Sequence, residues 1–257
     1  MSETLLLALV AGIFGLLIGS FLNVCIVRLP AEQSVVTPRS RCPRCGKPVE
    51  WRDNIPVLSW LLLGGKCRGC QEPIGILYPL VELAVGVLWF LLAYHYGLSL
   101  DALRGAILGT LLLGIALTDA REYIIPNEFT WGGLALALVL SAADGLHAVL
   151  LALLGAAVGF ALLWLVGVAG RWVFKEEAMG GGDIKMMAMV GAFLGWQGVL
   201  LTIFLGALAG TAIFLPLALV GRRKLVPFGV FLALGAGVTY LVGPAIILWY
   251  RRYLGVG

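Results

Sequence analysis

The segment LLLGIALTDAREYIIPN (residues 111–127) places an acidic side chain, Asp119, at the end of a long apolar run. A second acidic residue, Asp183, follows the glycine run 180–182 and opens the apolar stretch MMAMVGAFLGW (186–196). Ionised carboxylates are costly at the edge of a hydrocarbon layer, so acidic residues in such positions mark candidate functional sites. The two segments together predict acid–base chemistry inside or beside a bilayer.

The composition of the whole chain is typical of a polytopic membrane protein. Of its 257 residues, 61% are hydrophobic and 12% are charged, and the mean hydropathy is +1.00. A soluble domain has about 45–50% apolar and about 25% charged residues. The net charge of +4 therefore reports membrane orientation rather than a nucleic-acid-binding surface. We expect the lipid bilayer, and no nucleic acid, as a partner, and the sequence makes no prediction of oligomeric state.

The apolar segments predict the membrane helices, since a spanning helix needs about 20 mostly apolar residues. Seven segments are candidates: 4–24, 77–96, 101–118, 128–142, 148–170, 198–219 and 229–250. The segment 185–197 is apolar but short, and we interpret it as a tilted span, a re-entrant piece or a lid on the membrane surface. We interpret the first candidate as a retained helix, because Glu3 stands where a cleavable signal peptide carries basic residues.

The Lys and Arg residues predict the orientation of these helices. The polar loop 28–73 holds eight of the eighteen, which places it in the cytoplasm by the positive-inside rule. An eight-span topology, in which 185–197 crosses, also places the cluster 222–224 in the cytoplasm. Whether or not 185–197 crosses, Asp119 and Asp183 lie at the cytoplasmic face, as a catalytic pair requires.

The cysteines of the polar loop predict a metal site. Cys42, Cys45, Cys67 and Cys70 follow a Cys-x2-Cys-x21-Cys-x2-Cys pattern, which brings four thiolates around one tetrahedral Zn²⁺. A reducing cytoplasm disfavours disulfides, although two redox pairs or unligated thiols are the alternative. Four protein ligands leave no open position, so we expect a structural zinc that stabilises a loop with little core of its own. The fifth cysteine, Cys25, is expected to be buried and inert.

The aspartate pair has a chemistry of its own. One carboxylate can take a proton from water while the other donates one to a substrate carbonyl, and two close carboxylates share a proton. The adjacent glycines allow a substrate strand to approach closely. The two histidines, His95 and His147, are predicted near the outer face, which excludes a Ser-His-Asp site in the cytoplasm. The alternatives are helix caps or solvated loop residues, a transporter in which Asp119 and Asp183 relay protons or ions, and a zinc-bearing scaffold that only docks assembly proteins.

Several motifs resemble those of the bacterial prepilin peptidases, the type IV leader peptidases of the Gly-x-Gly-Asp membrane aspartic protease group. They run nearly end to end: GSFLNVCIVRLP (19–30), RCPRC to CRGC (41–70), YPLVEL (78–83), LTDAREYIIPN (117–127), EAMGGGDIK (177–185) and VPFGVFLALGA (226–236). Two departures are small. Thr118 stands where a bulky aliphatic residue is common, and Met186 and Met187 replace a leucine pair.

The resemblance implies a peptidase site. Asp119 and Asp183 would be the catalytic pair, and Gly180, Gly182 and Lys185 would belong to the active-site loop. The substrates would be type IV prepilins and the related pseudopilins of secretion or competence systems. Cleavage would occur on the cytoplasmic side, after a glycine that ends a short basic leader.

The resemblance also implies a second activity. Family members with the cysteine loop are commonly N-methyltransferases that use S-adenosylmethionine to methylate the new N-terminal residue, and this chain has all four cysteines.

Glu82, in YPLVEL, has two interpretations. It is either an accessory residue of the active site or of methyl transfer, or a polar contact in helix packing. Arg52 and Asp53 are interpreted as an ion pair of little energetic value.

The sequence thus predicts an all-α polytopic integral membrane protein with about eight transmembrane helices and one small cytoplasmic zinc-binding loop domain. The predicted segments are a first transmembrane helix (1–27), a four-cysteine zinc domain (28–75) and a transmembrane aspartic peptidase domain (76–257). The expected location is the bacterial inner membrane, with the active site facing the cytoplasm.

Overall fold

A computed structural model describes residues 2–175, 179–219, 226–253 and 255. The predicted cytoplasmic cluster 222–224 lies outside the described residues. Within them the regular structure is helical, apart from two isolated β-bridges in the cysteine loop. The helices are α1 (Glu3–Arg28), a 3-10 turn (Trp51–Asp53), α2 (Leu58–Leu62), α3 (Leu77–Tyr96), α4 (Leu100–Glu122), α5 (Asn127–Ala142), α6 (Leu146–Phe174), α7 (Gly181–Leu219) and α8 (Phe228–Tyr253).

The long helices confirm the predicted fold class. Among the described residues, α1, α3, α4, α6, α7 and α8 are long and apolar enough to cross a bilayer. Helix α5 has 16 residues, close to the lower end of the length that a span needs. The chain is therefore an all-α membrane protein.

Helix α7 joins two segments that the sequence analysis had separated. It runs for 39 residues and is interrupted at Gly195, whose φ of 70° and ψ of 174° are not helical. A positive φ favours glycine, and glycine is a common cause of sharp kinks. The short apolar segment 185–197 thus lies mostly before the kink, and its path through the bilayer stays a prediction.

The chain divides into two compact units, Met1–Thr110 and Leu111–Gly257; the three-segment division stays a prediction. In the first unit α1 packs closely on α3 through a glycine stripe. A Cβ atom added at Gly15 would lie 2.8 Å from Trp89 Cβ, and one added at Gly19 would lie 2.7 Å from Glu82 Cα. Such stripes let membrane helices approach until their backbones touch.

In the second unit the helices α5 to α8 pack in the same way. Gly155 and Gly159 of α6 face the backbone of α7 at Gly191 and Met187, with no room for a side chain. Met186 and Met187 are fully buried beside this contact. Unbranched methionine fills irregular gaps in a core, which explains how the pair substitutes for two leucines.

Candidate active site and metal site

Asp119 lies in the last turn of α4 and is held at the start of α8. Its side chain is buried, with 6% of the residue exposed. The backbone N–H of Val230, in the first turn of α8, donates a hydrogen bond to Asp119 Oδ2 over 3.1 Å. Unpaired N–H groups at a helix start favour a carboxylate. Asp119 is therefore fixed in position as a hydrogen-bond acceptor.

Asp183 lies in the first turn of α7. Its Oδ1 atom is buried and has no hydrogen-bond partner among the described residues, and it interacts electrostatically with Asp119. An unsatisfied buried polar atom is rare in proteins and calls for an explanation such as a catalytic role. The second unit thus brings together the two aspartates that the sequence analysis paired, one anchored and one with an unpartnered oxygen.

The side chain of Ile125, in the linker between α4 and α5, lies between the starts of α7 and α8. A Cβ atom at Gly182 would come within 2.8 Å of Ile125 Cβ, and one at Gly229 within 2.7 Å of Ile125 Cδ1. The Gly229 position is also 2.9 Å from Asp119 Oδ2. These glycines therefore leave room for Ile125 and the carboxylate. The sequence analysis did not predict that Ile125 packs against both glycines. The only signal for it was the position of Ile125 between Asp119 and Pro126.

Lys185, predicted in the active-site loop, links two helix starts. Its Nζ atom donates a hydrogen bond to Asn127 Oδ1 over 2.8 Å. Residues two apart on a helix do not face each other, so Lys185 projects away from Asp183 despite its proximity in sequence. Gly180 lies on the aspartate side, since a Cβ atom there would be 3.0 Å from Asp183 Oδ2.

In the first unit the four loop cysteines form a cluster. The sulfur atoms of Cys42, Cys45, Cys67 and Cys70 all lie within 4.8 Å of one another, and the Cys42 and Cys70 sulfurs are 3.7 Å apart. A tetrahedral zinc with Zn–S bonds of about 2.3 Å requires sulfur–sulfur distances of about 3.8 Å. The donor set and its spacing fit a metal ion.

The cluster is built from two equivalent turns, 41–48 and 66–73. In each, the N–H of the first cysteine donates to a carbonyl five residues later, over 2.9 Å and 2.8 Å. The residue after the second cysteine has a positive φ, 70° at Gly46 and 61° at Gln71. A bridge then joins the two ends of each turn. Each turn thus directs two sulfurs toward the other turn.

The backbone of these turns favours thiolates. The N–H groups of Cys70 and then Gly69 lower the pKa of the Cys67 thiol to about 6. Equivalent groups in the first turn, that of Cys45 foremost, lower the pKa of Cys42. The thiolate is the form of cysteine that binds metals, so each turn prepares its first cysteine, Cys42 or Cys67, as a ligand, whereas the pKa of the Cys70 thiol is raised to about 12.

One predicted ion pair is wrong. Asp53 accepts hydrogen bonds from Arg68, over 2.7 Å from Nη2 and 2.9 Å from Nε, whereas Arg52 pairs with Glu50 at 2.7 Å. The Arg68 guanidinium lowers the pKa of the Asp53 carboxyl. Two-point binding by the planar guanidinium explains the preference for Arg68 over the sequence neighbour.

Glu82 of α3 contacts the cysteine loop. Its Oε2 atom accepts a hydrogen bond of 2.7 Å from the backbone N–H of Val57. Nearby, Asn23 Nδ2 of α1 donates to the carbonyl of Tyr78 over 2.9 Å. Both contacts join segments that are far apart in sequence within the first unit.

Two protein-family models match the chain. The model described as "Bacterial Peptidase A24 N-terminal domain" matches residues 13–96, and that of the "Type IV leader peptidase family" matches residues 106–215. The second match contains both aspartates, and the first contains all four loop cysteines. No solved structure matches the chain.

Curated relatives carry the name "Prepilin leader peptidase/N-methyltransferase". One from Pseudomonas aeruginosa is 37% identical over 99% of this chain and 97% of its own length. One from Aeromonas hydrophila is 35% identical over 93% of this chain and 91% of its own. One from Myxococcus xanthus is 42% identical over 78% of this chain, but the match spans only 60% of that relative.

Proposed function

The chain belongs to the type IV leader peptidase family, and we infer from this membership that it is a prepilin leader peptidase and N-methyltransferase. Its substrates are type IV prepilins and pseudopilins, of pilus or type II secretion systems, which it cleaves after the glycine that ends the basic leader. It then methylates the new N-terminus. The observation that carries the proposal is that Asp119 and Asp183 lie in one unit of the fold, close enough to interact electrostatically.

The two aspartates act on one water molecule. One takes a proton from the water as its oxygen attacks the glycine carbonyl carbon, and the other donates a proton to the carbonyl oxygen. When the peptide bond breaks, a proton passes to the departing amine and the pair returns to its starting state. The N–H of Val230 keeps Asp119 in place through these steps, and no described protein group competes for the Oδ1 atom of Asp183.

The surrounding loop holds the substrate and the pair. Gly180 leaves the backbone beside Asp183 without a side chain, so an extended substrate segment can lie against it, whereas the side of Gly182 is filled by Ile125. The hydrogen bond between Lys185 and Asn127 fixes the start of α7 on the start of α5. Ile125 fills the space beside Gly182 and Gly229, next to Asp119.

The metal in the cysteine cluster is Zn²⁺, in a structural role. Cys42, Cys45, Cys67 and Cys70 would hold it, and four thiolates leave no position for a substrate. The ion would supply the cross-link between two turns that share little core.

S-adenosylmethionine is the second substrate. Its sulfonium methyl passes to the free amine exposed by cleavage, releasing a proton and S-adenosylhomocysteine.

The enzyme resides in the inner membrane with its active site facing the cytoplasm. The support is the positive charge of the loop between α1 and α3 and the position of the aspartates near helix ends. A basic leader held in the cytoplasm by the same charge rule would reach this side.

Mass spectrometry of a purified reaction tests the proposal. With the purified protein alone, a prepilin should lose its leader after the glycine; with S-adenosylmethionine added, the mature product should gain one methyl group at its N-terminus. Ion flux in liposomes without cleavage would instead support a transporter. An intact prepilin would overturn the peptidase proposal, and a cleaved but unmethylated product would remove the second activity.

The crowding around Gly229 gives a further prediction. In Gly229→Ala, the new methyl group would displace Asp119 or Ile125, since it would lie 2.9 Å and 2.7 Å from their atoms. A displacement approaching 1 Å costs about 10²-fold in rate, so we expect the kcat of cleavage to fall by roughly that factor. Steady-state kinetics with a prepilin measures the change.

Gly237→Ala provides the matched control on the same helix. A Cβ atom at Gly237 meets nothing within 4 Å, so this variant should cleave at the rate of the unaltered enzyme. Equal rates for the two variants would contradict the packing of Gly229 against the aspartate.

A further inference from the structure

Glu82 is an acidic side chain in a membrane-spanning helix, where such residues are rare and usually functional. It lies in the first unit, outside the segment that carries the aspartate pair. Its carboxylate accepts the hydrogen bond from the Val57 N–H at 2.7 Å, a short distance typical of a charge-assisted bond. The partner is a backbone group of the cysteine loop, 25 residues away in the sequence.

That partner lies in a strained turn. Val57 has φ of 60° and ψ of −49°, and the N–H of Leu58 donates to the carbonyl of Pro56 over 2.6 Å. These values describe the rare, strained form of γ-turn. A β-branched residue with positive φ is an outlier, and such conformations persist only where the surroundings impose them. The Glu82 carboxylate is the group that meets this turn from α3.

The turn sets the direction of the chain between the two cysteine turns. Helix α2 begins at Leu58, directly after it. Ser59, the second residue of α2, binds back to the segment that precedes the turn. Its buried hydroxyl accepts a hydrogen bond from the N–H of Ile55 over 3.0 Å and donates one to the carbonyl of Arg52 over 2.8 Å. Within α2, Trp60 Nε1 donates a hydrogen bond to the carbonyl of Ile74 over 3.1 Å. A change at Val57 would therefore redirect the link between the two cysteine pairs.

The base of this contact is rigid. Gly19 of α1 packs on the Cα atom of Glu82, and Asn23 binds the carbonyl of Tyr78 one turn earlier. The carboxylate thus projects from a backbone that two helices hold in place. The hydrogen bond between Glu82 and Val57 therefore ties the cysteine loop to the packed helices α1 and α3.

We propose that Glu82 is a positioning residue for methyl transfer, which holds the strained turn at Val57 and thereby the arrangement of the metal-binding loop. The inference rests on the proposed function, and it separates the two reactions. The contacts given above for Asp119 come from residues 111–257, and we expect cleavage to continue without Glu82. Loss of the carboxylate should impair methylation and spare cleavage.

Three variants test this role in the full-length protein. Glu82→Leu removes the acceptor, Glu82→Gln keeps an acceptor oxygen without the acidic group, and the double variant Glu82→Leu, Val57→Gly adds a residue that adopts positive φ without strain. Each is assayed for cleavage and methylation in one reaction and for bound zinc. Hydrogen exchange of the Val57 and Leu58 amides reports the turn directly, whatever the activity.

We expect Glu82→Leu to lose amide protection at Val57 and to methylate about tenfold more slowly, with unchanged cleavage and zinc content. Glu82→Gln should retain most of the methylation, and the double variant should recover part of it. Full methylation in Glu82→Leu, no recovery in the double variant, or loss of cleavage and zinc together would overturn the proposal. Complete loss in Glu82→Gln would also overturn it, by indicating acid–base chemistry. Failure of the unaltered enzyme to cleave or methylate would instead refute the proposed function.

Discussion

Asp119→Asn and Asp183→Asn are each expected to abolish leader cleavage, with rates about 10²- to 10⁴-fold lower than that of the unaltered enzyme. Asparagine has nearly the same shape as aspartate but can neither take a proton from water nor give one to the substrate. In Asp119→Asn, the amide oxygen can still accept from the N–H of Val230, so the helices should remain in place. Mass spectrometry of a prepilin over time measures the loss.

Asp101→Asn provides the control for charge. Asp101 lies at the opposite end of α4, pairs with Arg104 at 3.3 Å and is mostly exposed, so its substitution should leave cleavage unchanged. Normal processing by Asp183→Asn would refute the assignment of the pair. The scaffold hypothesis predicts instead that both Asn variants keep their function while cysteine changes abolish it, because docking of assembly proteins does not need a proton donor.

A second measurement separates catalysis from binding. Both Asn variants should still bind a prepilin, since the substrate backbone is proposed to lie against Gly180 rather than against the carboxylates alone. Pull-down of a prepilin from detergent should therefore give equal yields for the unaltered enzyme and the variants. Loss of binding would assign Asp119 or Asp183 a structural role.

The sequence predicted the aspartate pair because an acid beside an apolar run has few structural explanations in a membrane protein. The glycine run 180–182 beside Asp183 and the apolar segments that predicted the helices are equally local features of the sequence. The anchoring of Asp119 by α8 could not be predicted, since Val230 is 111 residues away and offers only a backbone N–H. The role of Ile125 depends on two distant glycines, Gly182 and Gly229, which the sequence does not connect.

The cysteine loop shows the same difference between local and distant signals. The spacing alone predicted the four-sulfur cluster, and a closer comparison of 41–48 with 66–73 would have shown the repeated turn, with cysteines and proline at equal positions. The pairing of Asp53 with Arg68 was not predictable, because it depends on how the second cysteine turn lies beside the 3-10 turn that carries Asp53. The strained Val57 also has no sequence signal, since valine normally avoids positive φ.

Removal of one cluster cysteine should have the second largest effect. Cys67→Ser is expected to reduce bound zinc from about one ion per chain to nearly none, because the site needs four thiolates and binds its metal with about 10–16 kcal/mol of apparent free energy. Without the metal the two turns lose their cross-link. Methylation should fall with the zinc, while cleavage, which depends on residues of the second unit, should persist.

Cys25→Ala is the matched control. Cys25 is buried in α1 and is not one of the four clustered cysteines, so this variant should keep its zinc and both activities. Zinc measured by mass spectrometry and thiol reactivity before and after a chelator distinguish the possible states of the cluster. Protected thiols that become reactive when the chelator removes zinc would support the metal site. A zinc-free unaltered enzyme that is two hydrogens lighter for each Cys-x-x-Cys pair would instead establish disulfides, and the loop would then be a redox element rather than a metal-stabilised one.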